Sequence, residues 1–250
     1  MPTPFYHLSV AQELLAGPGL PPAVSDLLRQ HSSAFLLGHT APDVQVVSGQ
    51  PREATHFFEL PLRPEDPPAH ARLLQVYPAL ARGRALPAPQ AAFLAGYLCH
   101  LLADWEWVQQ IFIPCFLPGP NGLRVRQAHF LHNALRCYLD EQILPGLNGA
   151  VRSRLGLADP AGWLPVVEDG PLRRWRDLLA AQLQPGAPVR TVEVFAARLG
   201  LPPQAFEALL GSEERLEAEL FSRLPRRALE RYRARLVQDS LDLVVRYLTS

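Results

Sequence analysis

The chain has no lysine: all 24 of its cationic side chains are arginine, and 24 acidic residues bring the formal net charge to zero. A neutral chain lacks the basic field that holds nucleic acid by counterion release, so no nucleic-acid partner is expected. Cysteine is scarce. Cys99, Cys115 and Cys137 are odd in number and lack CxxC spacing, which argues against a disulfide framework or a zinc ribbon and fits a reducing cytosol. Long apolar runs are missing. The most apolar stretch, residues 91–103, meets Asp104 and Glu106 before it reaches membrane-spanning length, so it reads as a core helix and no transmembrane segment is expected. The opening MPTPFYHLSVAQELL has neither a basic n-region nor a long apolar h-region. The expectation is a cytoplasmic protein without a signal peptide.

Strand signals are sparse as well. With 250 residues, 48% hydrophobic and 19% charged, the chain suits one large globular domain or two small ones. Its 26 prolines fall mostly between segments of helical periodicity, where they start or stop helices. Helices are predicted over roughly 7–16, 21–31, 32–38, 69–82, 88–113, 124–144, 148–156, 171–183, 191–199, 203–210, 213–222 and 225–248. Residues 40–68 read as a functional loop too broken for regular structure, and 114–123 as another loop.

Histidine divides the chain. All eight histidines lie in the first 132 residues. The last third pairs arginine with glutamate and aspartate along amphipathic helices, as in SEERLEAELFSRLPRRALERYRARL. The organisation expected is a metal-binding helical core over 1–158. A helical part over 159–250 packs on the same domain rather than supplying chemistry.

Within GYLCHLLADWEW (96–107), His100 and Asp104 stand four residues apart on a predicted helix, which puts them on one face, offset by about 40°. Phe93, Tyr97, Trp107 and Ile111 continue that stripe, so the face points inward. A buried carboxylate without a partner tends to protonate. A divalent cation satisfies both groups, since imidazole nitrogen and carboxylate oxygen are normal zinc ligands; a plain His–Asp hydrogen bond also satisfies them. In FLLGHTAPDV (35–44), Gly38 and Pro42 make a sharp stop and leave Asp43 on a rigidly anchored turn, as a ligand or as a turn or cap residue; His39 is the weaker candidate. His56, in REATHFF (52–58), is either a ligand or a solvent-exposed loop residue. His7 opens the first amphipathic helix, where a neutral imidazole is better tolerated than an imidazolium. His132, Arg136 and Asp140 step by four along one face, as a functional stripe or as an ordinary surface ion-pair stripe.

In this order the motifs resemble the bacterial zinc-dependent phospholipase C family, whose all-helical fold is shared with single-strand-specific zinc nucleases. The resemblance rests on His7, FLLGHTAPD (35–43), THFF (55–58), GYLCHLLADWEW (96–107) and HNALR (132–136), and it covers about residues 1–145. It implies an all-α, multi-helix bundle. It also implies a zinc ion held by Asp43, His56, His100 and Asp104. Asp104 would bridge to another zinc at His7 and the chain's α-amino group, which removal of the initiator Met would place on Pro2. The chain departs from the full trinuclear pattern. Gln109 and Gln110 follow Asp104 where the family has a histidine, and His129 and His132 are followed four residues later by Asn133 and Arg136 rather than a carboxylate. One well-formed zinc site, at most two, is therefore expected. His132 is a ligand or a phosphate-facing donor, and Arg136 helps to bind an anion.

The function implied is a zinc-dependent phosphoric ester hydrolase, phospholipase C-like, acting through a metal-activated water with Asp43 as ligand and base. Its substrate is a phospholipid or another phosphodiester. The alternative is a non-catalytic helical metal-binding protein with a structural or partner-binding role. An open coordination position distinguishes the enzyme from a closed structural shell.

Overall fold

The computed structural model describes residues 1–117, 123–147, 149–184, 186–187 and 190–250. Among these residues regular structure is entirely helical, with no strand. In chain order the helices are α1 (Pro4–Ala16), α2 (Pro22–Gln30), α3 (Ser32–Gly38), α4 (Gln45–Ser48), α5 (Arg52–His56), α6 (Ala69–Val76), α7 (Ala88–Trp107) and α8 (Ile113–Phe116). After them come α9 (Val125–Ile143), α10 (Gly149–Gly156), α11 (Asp169–Gln182), α12 (Thr191–Leu199), α13 (Gln204–Leu210), α14 (Glu213–Arg215) and α15 (Arg226–Thr249). Among the described residues no helix is long and apolar enough to cross a membrane.

Local chemistry explains where these elements begin and end. Thr3 caps α1 by accepting a hydrogen bond from the Tyr6 N–H at 3.3 Å, and Pro4 occupies the first helical position, so the helix starts three residues before the periodicity indicated. Residues 40–68 are less irregular than expected. They hold a 3-10 turn (Ala41–Val44), α4 and α5, started by Pro42 and Pro51 and stopped by left-handed conformations at Gly49 (φ 74°) and Phe57 (φ 60°). α6 stops at Val76 because Pro78 follows and disfavours helical geometry in the residue before it. α8 takes the start of the expected loop at 114–123, of which residues 118–122 lie outside the described residues.

The helix α7 is the axis of the molecule. Every residue from Ala91 to Trp107 on it is buried, as expected for a helix apolar on all sides. α3 and α15 pack along it, with α6 and α1 beside them. The α3 contact is very close. A Cβ on Gly38 would lie 2.0 Å from the Phe93 carbonyl oxygen, and one on Gly96 2.3 Å from that of Phe35. Only glycine at both crossing points lets the backbones meet in this way. α15 is tied on by the Tyr232 hydroxyl, which donates to the Ala103 carbonyl at 3.0 Å. The buried apolar side chains from Tyr6 to Leu248 form one continuous cluster.

Candidate metal centre

Three pieces of chain converge on the α7 face that carries His100 and Asp104. The first turn of α1 supplies His7, whose N–H donates to the Thr3 carbonyl at 3.2 Å. The 3-10 turn after α3 supplies Asp43, with its N–H on the Thr40 carbonyl at 3.1 Å. His56 is the last residue of α5. That helix is fixed against α7 by the Tyr97 hydroxyl, which donates to the Thr55 carbonyl at 2.6 Å. Phe57 then turns the chain away in a left-handed conformation, strained for a residue with a Cβ.

The ligand atoms of His7, His100 and Asp104 lie within 4.8 Å of one another, and so do those of Asp43, His56 and His100. Asp104 faces both groups. Its Oδ2 is 3.4 Å from His56 Nε2 and 3.8 Å from His100 Nε2, while its Oδ1 is 3.4 Å from His7 Nε2. His56 Nε2 is also 3.4 Å from Asp43 Oδ1. The His7 and His100 rings stack with centroids 3.7 Å apart. His56 is thus buried, not the exposed loop histidine that the sequence also allowed.

Backbone carbonyls set the histidine tautomers. A carbonyl only accepts, so His100 Nδ1 must carry the proton it donates to the His39 carbonyl at 2.8 Å. His56 Nδ1 likewise faces the Arg52 carbonyl at 3.2 Å, beside the Thr55 hydroxyl at 3.1 Å, whose own proton goes to that carbonyl. Both rings then present a bare Nε2 lone pair to the cluster, the usual preparation of a metal-ligating imidazole. His56 Nε2, His100 Nε2, both ring nitrogens of His7 and Asp104 Oδ1 are buried with no hydrogen-bond partner. Burial pushes the His7 imidazole down to about 4 and lowers that of His56, so both are neutral near pH 7. Burial pushes the Asp104 and Asp43 carboxyls up, but the surrounding histidines, with Arg52 at Asp104, outweigh it and hold both below the usual carboxylate range. Two carboxylates and bare imidazole nitrogens, five of these buried atoms unpartnered, are the donor set that a divalent cation requires. The residues present fit zinc.

The sequence comparison agrees with the chemistry. Residues 6–107 match the zinc dependent phospholipase C family. No curated protein and no solved structure matches the chain. His7, Asp43, His56, His100 and Asp104 all lie inside the span shared with the zinc-dependent phospholipases C, and the remaining two candidates lie beyond it.

Those two are placed differently. His132 is buried but belongs to neither group. Its Nε2 accepts from Trp107 Nε1 at 2.9 Å, with the Met1 amino nitrogen 3.5 Å away, and Phe112 packs edge-on against its ring. Arg136 lies over the Phe195 ring at 4.2 Å and bonds Asn133 Oδ1 at 3.1 Å, leaving its buried Nε unpartnered. Asp140 accepts from the Thr3 hydroxyl and, at 2.8 Å, from the Thr191 hydroxyl. The stripe of His132, Arg136 and Asp140 therefore faces inward and is no surface ion-pair ladder.

Beside the cluster lies a cavity of about 360 Å³, reached by Asp43, whose side chain is 20% exposed. Arg52 and Arg136 line it, and α11 and α12 close its far wall with Trp175, Phe195 and Arg198. The C-terminal third, expected only to pack on the core, thus borders the site. Trp175 Nε1 donates to the Thr40 carbonyl at 2.8 Å, beside the Asp43 turn. Sequence reading also missed Arg52, whose Nη2 sits 2.6 Å from Asp104 Oδ2. Its signal was present: Arg52 and His56 are four apart on α5 and share a face.

Proposed function

We propose that the protein is a phospholipase C-like hydrolase of phosphoric esters, with zinc held by Asp43, His56, His100 and Asp104, and His7 on the outer oxygen of Asp104. In this reading residues 1–158 form the metal-binding core, and 159–250 pack on it within one domain. The observation that carries the proposal is that the buried, unpartnered donors open to a cavity through Asp43, whereas a structural metal site is closed by protein ligands. A zinc ion there supplies a water acidified to near neutrality and polarises a phosphoryl oxygen.

The chain's own groups do the rest. Asp43, ionised and facing the cavity, accepts the proton of the attacking water. As the water oxygen bonds to phosphorus, the bond from phosphorus to the alcohol oxygen breaks, the alcohol takes up a proton from solvent, and Asp43 returns its own to solvent. Arg52 holds the phosphate oxygens by charge-assisted hydrogen bonds. Val46, Leu178 and Val194 are large apolar residues left exposed, and all three line this cavity. They favour a phospholipid over a small polar phosphodiester, since such residues offer acyl chains a surface.

The test compares zinc-loaded wild type with Asp43→Asn on short-chain phosphatidylcholine, phosphatidylserine and phosphatidylinositol 4-phosphate, with release of the phosphorylated head group as readout. Turnover by wild type and a fall of about 10²-fold or more in the variant is expected. Failure of zinc-loaded wild type to cleave any phosphodiester would refute the proposal.

A further inference from the structure

The cavity is cationic beyond what the proposed reaction needs. Four guanidinium groups line it: Arg52, Arg136, Arg190 and Arg198. Among the described residues Asp43 is the only carboxylate on its wall. Arg52 is engaged by Asp104. The other three form no ion pair among the described residues. Arg136 and Arg198 flank one ring, their guanidinium carbons 4.2 and 5.8 Å from the Phe195 centroid. Guanidinium groups outnumber carboxylates on this wall, and each is a planar fork shaped for phosphate or carboxylate. Burial pushes the Arg136 guanidinium down to about 10 against the pull of Asp43, Asp140 and Asp104, and Arg198 adds a smaller push in the same direction.

We propose that Arg136, Arg190 and Arg198 form a subsite for a second anionic group of the substrate, one bond system away from the phosphate that is cleaved. The substrate is then a phospholipid whose head group carries its own negative charge, such as a phosphorylated or carboxylated head. Placing the cleaved phosphate at the His/Asp cluster rests on the hydrolase reading; the anion subsite does not. Its residues lie outside the span of the family match, at 136, 190 and 198 against 6–107.

The test separates binding from turnover. Zinc-free protein is titrated calorimetrically with monomeric dihexanoyl phosphatidylinositol 4-phosphate and with dihexanoyl phosphatidylcholine. Wild type should bind the anionic lipid about tenfold or more tightly, as expected for charge-assisted bonds to arginine. Arg190 and Arg198 are exposed, so R190Q/R198Q should fold normally and bring the ratio near one. Free inositol 1,4-bisphosphate should bind more weakly than the lipid yet keep the same arginine dependence. Equal affinity of wild type for the two lipids, or a preference unchanged in the variant, would overturn the subsite. A preserved preference with no turnover after zinc loading would instead count against the hydrolase alone.

Discussion

Asp104 and Asp140 show how differently one residue type behaves in this interior. Asp104 is 1% exposed and still ionised, because Arg52 and imidazoles surround it. Asp140 is 2% exposed, and among the described residues its hydrogen-bond donors are the hydroxyls of Thr3 and Thr191. Burial pushes its carboxyl up to about 6 against the pull of those hydroxyls. The native state therefore holds this proton more tightly than the unfolded chain, whose aspartates titrate near 3.9. The stability from this group is complete below the unfolded value and is lost as the pH rises to about 6. The loss is on the order of 2–3 kcal/mol. Asp140→Asn removes that dependence. Urea unfolding at pH 4, 5, 6 and 7 should show wild type losing stability relative to the variant between pH 4 and 6, and no further change above it. A difference that stays flat over this range would show that Asp140 is not held protonated.

At the scale of elements, the site depends on the crossing of α3 and α7. His100 is oriented by the His39 carbonyl at 2.8 Å, and that carbonyl is in reach because Gly38 and Gly96 let the two backbones touch. Gly96→Ala places a methyl 2.3 Å from the Phe35 carbonyl oxygen, so the helices must separate. The expected cost is roughly 1–3 kcal/mol or more by chemical denaturation, with weaker zinc retention against a chelator. Unchanged stability and retention would mean that the crossing is not needed. Much at this scale was legible in the sequence. Spacing alone put His100 and Asp104 on one inward face, and the ordered motifs gathered Asp43 and His56 to it. The periodicity of α7 continues through a π-helical turn (Val108–Phe112) into α8, past the predicted end. The short helices of residues 40–68 were hidden because a five-residue helix such as α5 has too few turns to show a period. Arg52 shares a face with His56 four residues on, but nothing in the sequence shows that this face turns toward Asp104.

At the scale of the whole molecule, α11 and α12 illustrate what local pattern cannot convey. Their amphipathic pattern reads as packing on the core without supplying chemistry, and only the tertiary fold puts Trp175 and Phe195 on the wall of the cavity that Asp43 reaches. The family match ends at residue 107, so the His/Asp cluster lies in the matched segment and the far wall of the cavity in the rest of the chain. The account rests on that cluster holding zinc. The most direct test is metal content per chain by elemental mass spectrometry, on wild type, His100→Ala and Asp104→Ala, each shown to be folded by circular dichroism. Roughly one or two zinc ions in wild type, lost in both variants, is the predicted result. No stoichiometric metal in wild type, with both variants folded and unchanged, would contradict the account and leave His100 and Asp104 as a buried pair without an ion.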